Sequence, residues 1–298
     1  MRKFDVFMFG NMSAGKIVTP EGEYEEPGGP IIFAAWTAHQ LGYSVGILTK
    51  TSFKDRYLLK AFPFPEEDVF WRESRQTTSN RVVYPTASME KRMITNLSQA
   101  DPYTVQDLPD ISAKIMQYSG ALAGEIGVEI IRYLSSKAPV ALDVQGMIRK
   151  VFPDKAVEFG DWSDKMASLP LITFLKADAA EAAFLTGINT DNDQGRVAAA
   201  EKFLEWGAKE VVISHHTGLI AAQDSGVFFA PFKSRNLNGR TGRGDTCFTT
   251  YITERCTRAP ANALTFAAAL TSLKMESAGP FAKTRHDVEA FMREFYLQ

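Results

Sequence analysis

The chain has 298 residues, with 33 lysines and arginines against 35 aspartates and glutamates, for a formal net charge of −2. Hydrophobic residues at 45% and charged residues at 23% are globular proportions, which exclude a disordered or collagen-like chain. Near-neutral charge argues against a dedicated nucleic-acid binder, which needs a basic surface to displace counterions from phosphates; a local basic pocket for a small phosphorylated ligand stays open.

Val6 to Phe9 is an apolar run ending at Gly10, consistent with a buried strand. The N-terminus turns into it at once, without the apolar core of a signal peptide. Nowhere do about 18 apolar residues follow one another, as a membrane span requires. The expectation is therefore a cytoplasmic protein with no membrane partner. Gly28-Gly29 opens a helix over Ile31–Leu41, closed by Gly42, and Val45–Thr49 reads as the next strand. Strand, glycine turn, helix, strand is the signature of a parallel sheet.

The alternation resumes with a helix from Gly127 to Ser136, a strand over Val140–Val144 and another over Leu171–Leu175. A short helix over Ala179–Leu185, a longer one over Arg196–Trp206 and a strand over Val211–Ser214 follow. Three helices, Gly244–Arg255, Asn262–Met275 and Asp287–Tyr296, end the chain. A doubly wound α/β core explains this order. Two segments fall outside it, Ile17–Glu26 and Thr77–Leu97. The second reads as a hairpin of Arg81–Tyr84 and Arg92–Thr95 around the turn Ala87-Ser88-Met89-Glu90. A small sheet leaving an α/β core at two points serves as a lid, as an oligomer contact or as an ordinary surface hairpin.

Cys247 and Cys256 stand without a CxxC or Cys/His cluster, so a disulfide framework or structural zinc is not expected. Both read as small buried side chains on a helix. His215-His216 ends a strand, where adjacent side chains of an extended chain face opposite ways, so the pair is not expected to share a metal. Gly10-Asn11-Met12-Ser13-Ala14-Gly15-Lys16-Ile17 nearly spells a Walker A loop. However, Ile17 stands where a hydroxyl must meet magnesium, and Val18-Thr19-Pro20 cannot propagate the required helix.

The stronger phosphate signal is Asn238-Gly239-Arg240-Thr241-Gly242-Arg243-Gly244-Asp245-Thr246, ahead of the apolar run Cys247–Ile252. Gly242 and Gly244 permit a tight turn whose amides converge at a helix N-terminus, where the dipole favours an anion. Asp245 lies in the same first turn. It either caps its helix or takes a proton from an attacking hydroxyl while the amides hold developing phosphate charge.

At this loop the sequence resembles the PfkB (ribokinase-like) carbohydrate kinases. Thr241-Gly242-Arg243-Gly244-Asp245 matches the C-terminal signature and Gly28-Gly29 with Ala34-Ala35 the N-terminal one. Asp178-Ala179-Ala180-Glu181 with Leu185-Thr186-Gly187 is similar to a middle motif. Within the family, Asp143–Arg149 and Phe174–Ala177 look like the myo-inositol kinase-like branch.

The resemblance covers nearly the whole chain. It implies one α/β domain over residues 1–298, a three-layer αβα sandwich with a mainly parallel sheet and a small β lid from about 16–27 and 76–98. It implies ATP-dependent phosphorylation of a hydroxyl on a small sugar or polyol, with inositol-like acceptors among the candidates. Carried over, Asp245 is the general base, and the amides of Gly242, Arg243 and Gly244 form an anion hole. Glu181, with Asp178, helps hold Mg²⁺ through water. Asn11, Gly28, Gly29, Gln145 and Arg149 fall to the acceptor. Ser214, Thr217, Gly218, Thr241, Ala278 and Gly279 fall to the nucleotide. Pairing of two copies through the lid is a family tendency.

Departures from the pattern leave the acceptor open. Gly15 stands where many relatives carry an Asp, Phe33 where an Asn is usual, and Gly239 where an Asp precedes the Thr-Gly run. Phe33 suits stacking on a flat face or a place in the core. Arg243 can reach the transferred phosphoryl group or point to solvent, and Gln145 and Arg149 can bind substrate or tie a strand end to its neighbour. A nucleoside kinase of the same fold and a ligand-binding relative without turnover are the alternatives.

Overall fold

The computed structural model describes residues 2–85 and 93–297. In chain order the strands are β1 (Arg2–Phe9), β2 (Ser13–Thr19), β3 (Gly22–Gly28), β4 (Val45–Thr51), β5 (Val69–Glu73), β6 (Thr78–Val83), β7 (Met93–Ser98) and β8 (Ile111–Tyr118). They continue as β9 (Val140–Asp143), β10 (Arg149–Val151), β11 (Val157–Phe159), β12 (Phe174–Asp178), β13 (Glu210–Ser214), β14 (Gly218–Gln223) and β15 (Gly226–Pro231). The helices are α1 (Pro30–Gln40), α2 (Val128–Ser135), α3 (Gln145–Ile148), α4 (Lys165–Ser168), α5 (Ala179–Thr186), α6 (Asp193–Glu205), α7 (Arg243–Glu254), α8 (Pro260–Lys274) and α9 (Arg285–Phe295).

Nine strands form the main sheet, in the order β15-β14-β13-β12-β9-β8-β1-β4-β5. From β13 to β5 all neighbours pair in parallel, while β14 and β15 run antiparallel at one edge. The period of two decides the layering. On β1, Phe7 and Phe9 enter the core that holds Ile130, Ile131, Ala199 and Phe203 of α2 and α6. Val6 and Met8 enter the opposite core, with Ile31 of α1, Phe248 of α7 and Leu264 of α8. Full burial of such side chains is worth roughly 1.5–3 kcal/mol each, so the sheet is held from both faces. This is the three-layer αβα sandwich with a mainly parallel sheet that the resemblance implies. After β1 the chain winds outward to β4 and β5, then returns to β8 on the other side. The switch point between β1 and β8 opens a crevice at the C-terminal strand ends, where α/β sheets bind ligands.

A second sheet, β3-β2-β6-β7, is built from the two segments that break the α/β alternation. It begins at Ser13 rather than near residue 16, and β2 pairs in parallel with β6 from Ser13↔Thr78 onward. The expected hairpin is present as antiparallel β6 and β7, and its expected turn at 87–90 lies outside the described residues. The near-Walker segment is thus the strand β2, with no helix after it.

Several expectations need correction. The strand expected at 171–175 runs from Phe174 to Asp178, because 169–171 is a 3₁₀ turn with Pro170 near its start. It continues through the charged Lys176, which ion pairs bury. β5, β8, β14, β15 and the β10–β11 hairpin were not anticipated. Cys247 is buried in α7, where burial pushes its thiol up to about 12, but Cys256 is exposed beyond the helix end. The His215 and His216 rings lie 3.8 Å apart and tilted by 48°, because the chain has left the strand and turns there. Burial, with Arg196, His216 and Arg243 nearby, draws His215 down to about 4. Among the described residues no helix is long and apolar enough to cross a membrane.

Candidate active site

A cavity of about 1020 Å³ lies between the C-terminal strand ends and the second sheet. The helix start at its floor follows from two glycines. Gly242 is the N-cap of α7 at φ 78°, in the left-handed region that glycine tolerates best. A Cβ there would fall 2.1 Å from the Phe33 ring, so the backbone packs directly on that aromatic. Phe33 therefore both supports the loop and faces the cavity. The cap residue has no side chain to cover the first-turn amides. Asp245, third in the helix, lies on the cavity wall.

The amides divide unequally. Arg243 N–H donates to the Arg240 carbonyl at 3.2 Å, closing the turn. That amide is already engaged, which corrects its expected place in the anion hole; Arg243 still lines the cavity. Gly244 stays on the wall, and a Cβ there would come 3.0 Å from Lys176 Nζ.

Lys176 is the residue that sequence reasoning missed. Its Nζ donates to Asp143 Oδ2 at 2.8 Å and lies 3.7 Å from Glu181 Oε2, while Arg149 reaches Glu181 Oε1 at 3.4 Å. Burial works to strip the ammonium of its proton. Asp143, Glu181 and Asp178 outweigh it and hold Lys176 well above the ordinary lysine range. Burial likewise pushes Glu181 up to about 7 against the pull of Lys176. Asp143 is raised by burial and by the nearby Asp245, again against Lys176. The cavity thus has a fixed cation beside Gly244. A lysine within an otherwise apolar strand, two residues before an acidic helix start, was the available signal.

The other expected site residues sort by strand end. Gly28 and Gly29 line the cavity, as do Gln145, Arg149, Asp178, Ser214, Thr241, Gly242 and Gly244. Gln145 also ties the strand end: its backbone N–H donates to Asp143 Oδ1 at 3.0 Å. Asn11 does not reach the wall. It is fully buried, its side-chain oxygen accepts from Tyr103 and its amide donates to Glu125. Glu181 is off the wall too. It is fully buried and forms a capping box with Asp178, each accepting from the other's amide at 2.8 Å. Its charge is spent on Arg149, Lys176 and that cap, so it is poorly placed to face a metal; Asp178 alone of the pair lines the cavity. Thr217 and Gly218 lie at the start of β14, with the Thr217 hydroxyl 2.8 Å from His215 Nδ1. Ala278 and Gly279 are exposed on a surface turn outside the cavity lining. His216 and Arg240 line it without having been anticipated.

The second sheet contributes Gly15, Ile17, Asn80, Val82 and Ile94, and Tyr84 follows just after β6. The β10–β11 hairpin adds Phe159 and reaches that sheet, where Asn96 N–H donates to the Lys155 carbonyl at 2.8 Å.

The model of pfkB family carbohydrate kinases matches residues 70–285. The chain belongs to that family. With it, the protein is a phosphotransferase that acts on a hydroxyl of a sugar or polyol. The chain is similar to a pyrophosphate-dependent kinase of the ribokinase family in a sulfate complex, at 29% identity and TM-score 0.85, covering 96% of this chain and 99% of the other. A pyrophosphate-dependent kinase of that family, bound to a pyrophosphate analog and myo-inositol, gives 28%, 0.84, 96% and 99%. Arabidopsis thaliana ribokinase with ribose and ATP shares the fold at 18% identity and TM-score 0.77, covering 98% and 99%. Comparison with curated proteins gave no match.

Proposed function

We propose that this kinase transfers a phosphoryl group from pyrophosphate to a hydroxyl of a cyclic polyol of the inositol type. One observation carries the reading. Asp245 lines a single cavity together with four cationic residues, Arg149, Lys176, Arg240 and Arg243, and with the neutral polar residues Ser13, Asn80 and Gln145. The acceptor oxygen attacks the nearer phosphorus and its proton passes to Asp245. The bridging P–O bond breaks and orthophosphate leaves, its charge met by the guanidinium groups and by Gly244 at the helix start. Lys176, locked by two carboxylates beside Gly244, supplies positive charge toward the transferred group in this reading. Ile17, Val82 and Ile94 suit the C–H face of a ring, while Asn80, Gln145 and Ser13 suit its hydroxyls.

The sequence alone pointed to ATP. A compact polyanion is favoured instead because four of the six residues expected to hold the nucleotide, Thr217, Gly218, Ala278 and Gly279, lie off the cavity wall, while Ser214 and Thr241 line it. The similarity to pyrophosphate-dependent kinases supports the same choice. Asp178 is the carboxylate that suits a hydrated magnesium ion carried in with the donor, which would neutralise phosphate charge. The test is phosphorus NMR of the protein with myo-inositol or a nucleoside as acceptor, Mg²⁺ and either pyrophosphate or ATP. Phosphate monoester should grow with pyrophosphate. Turnover with ATP alone overturns the donor, turnover on nucleosides alone overturns the acceptor, and binding without turnover overturns both.

A further inference from the structure

Helix α8 ends in a lysine that the chemistry above does not use. Lys274 is only 2% exposed. Its ammonium donates to the carbonyl oxygen of Gly239 at 2.6 Å and to that of Thr241. It also sits 5.4 Å from the centre of the Phe33 ring. The two carbonyls flank Arg240, in the loop that runs directly into the left-handed N-cap Gly242.

The same loop is pinned twice more. Gly239 N–H donates to the Met275 carbonyl at 2.7 Å. Gly239 also lies so close to the turn after α8 that a Cβ would fall 1.7 Å from the Ser277 carbonyl oxygen. No side chain fits there, so an Asp at this position is sterically shut out. At Gly239 itself, the contact with the turn after α8 is backbone against backbone. Burying an ammonium is costly unless its donors find acceptors. Here two carbonyls and a ring face supply them; burial draws the ammonium down to about 8, with Asp245 opposing that shift.

We propose that Lys274 is a positioning residue for phosphoryl transfer: its ammonium is a resident cation that clamps the 239–241 loop and so sets Gly242, Gly244 and Asp245 against the donor. Backbone carbonyls of this kind also coordinate potassium, so the resident charge makes a dissolved monovalent cation unnecessary. The inference rests on the kinase reading given above for its catalytic consequence, but the clamp itself can be read without turnover.

The experiment compares the wild type and Lys274→Ala in potassium, ammonium and tetramethylammonium chloride at matched ionic strength. Wild-type turnover should not differ between the salts. In Lys274→Ala, kcat should fall by about 10²-fold, the scale of a misplaced catalytic group, with donor KM moving less. Ammonium or potassium should restore part of the loss, and tetramethylammonium, too large for the vacated space, should not. Hydrogen exchange at amides 240–246 should quicken in the variant and slow again with ammonium. Wild-type turnover that rises with potassium would overturn the proposal. So would a variant with native protection at 240–246 and undiminished kcat. Should the variant not fold, the wild-type salt series decides. A wild type silent with every donor would sink the kinase reading instead, and the exchange comparison would still judge the clamp.

Discussion

Replacing Lys176 by methionine keeps the reach of the side chain and removes its charge. Asp143 and Glu181, with side chains 6% and 0% exposed, would then lose the ammonium between them. Breaking a buried pair by deleting one partner costs about 3–5 kcal/mol. For a chain of 298 residues the unfolding entropy is roughly 0.6 kcal/mol per kelvin, so the melting temperature should drop by about 5–8 °C. The sign of the pH effect follows from the carboxyls. Glu181 sits at about 7 in the fold against 4.5 for its ordinary value. Between those values the folded protein keeps a proton that the unfolded chain has lost, so stability falls as pH rises through that window. Without Lys176 the folded values climb further. The variant's deficit should therefore be greater at about pH 8 than at about pH 5. Scanning calorimetry of both proteins at the two pH values measures it. An unchanged melting temperature, or a deficit larger on the acid side, would refute the assignment of Lys176 as the charge that holds this cluster.

Gly242→Ala must accommodate φ 78° and a methyl group 2.1 Å from the Phe33 ring. We expect a cost of about 1–3 kcal/mol from the backbone alone and a fall in kcat greater than any rise in acceptor KM; wild-type kinetics would contradict it. Burial pushes Glu125 up to about 7 even though it accepts from the amides of Asn11, Ala121 and Leu122. It should lower stability as pH rises from about 4.5 to 7, and urea midpoints of Glu125→Gln should lack that part of the slope. Equal slopes in both proteins would place the titration elsewhere. Trimming the 152–156 turn removes the contact between Lys155 and Asn96 and loosens Phe159. Acceptor KM should rise while donor KM holds, and matched losses for both ligands would undo that role for the hairpin.

Legibility followed chemistry that repeats at fixed spacing. The parallel strands and their helices were readable because apolar residues recur at periods of two and near four, with Gly42 and Gly187 closing helices. The Gly242–Asp245 helix start was readable because two glycines before an apolar run leave few other conformations. What escaped depended on partners distant in the chain. Gln117 looks polar enough to end a strand, yet lies buried in β8 because its amide meets Thr249 at 2.8 Å. Lys176 hid in the same way, neutralised by residues 33 positions before it and 5 after it. Glu181 was assigned to a metal because a spacing motif cannot tell a carboxylate that faces a cavity from one that caps its own helix. Lys274 gives no local signal: it looks like an ordinary basic helix end until the fold brings Gly239 against it.

The central claim, that Asp245 activates the acceptor hydroxyl, meets its most direct test in Asp245→Asn, measured for phosphate transfer to a polyol alongside calorimetric donor binding. Asparagine preserves shape but cannot take the proton, so kcat should fall by roughly 10²–10⁴-fold while the donor still binds. Turnover at the wild-type rate by a folded, donor-binding Asp245→Asn protein would contradict the account.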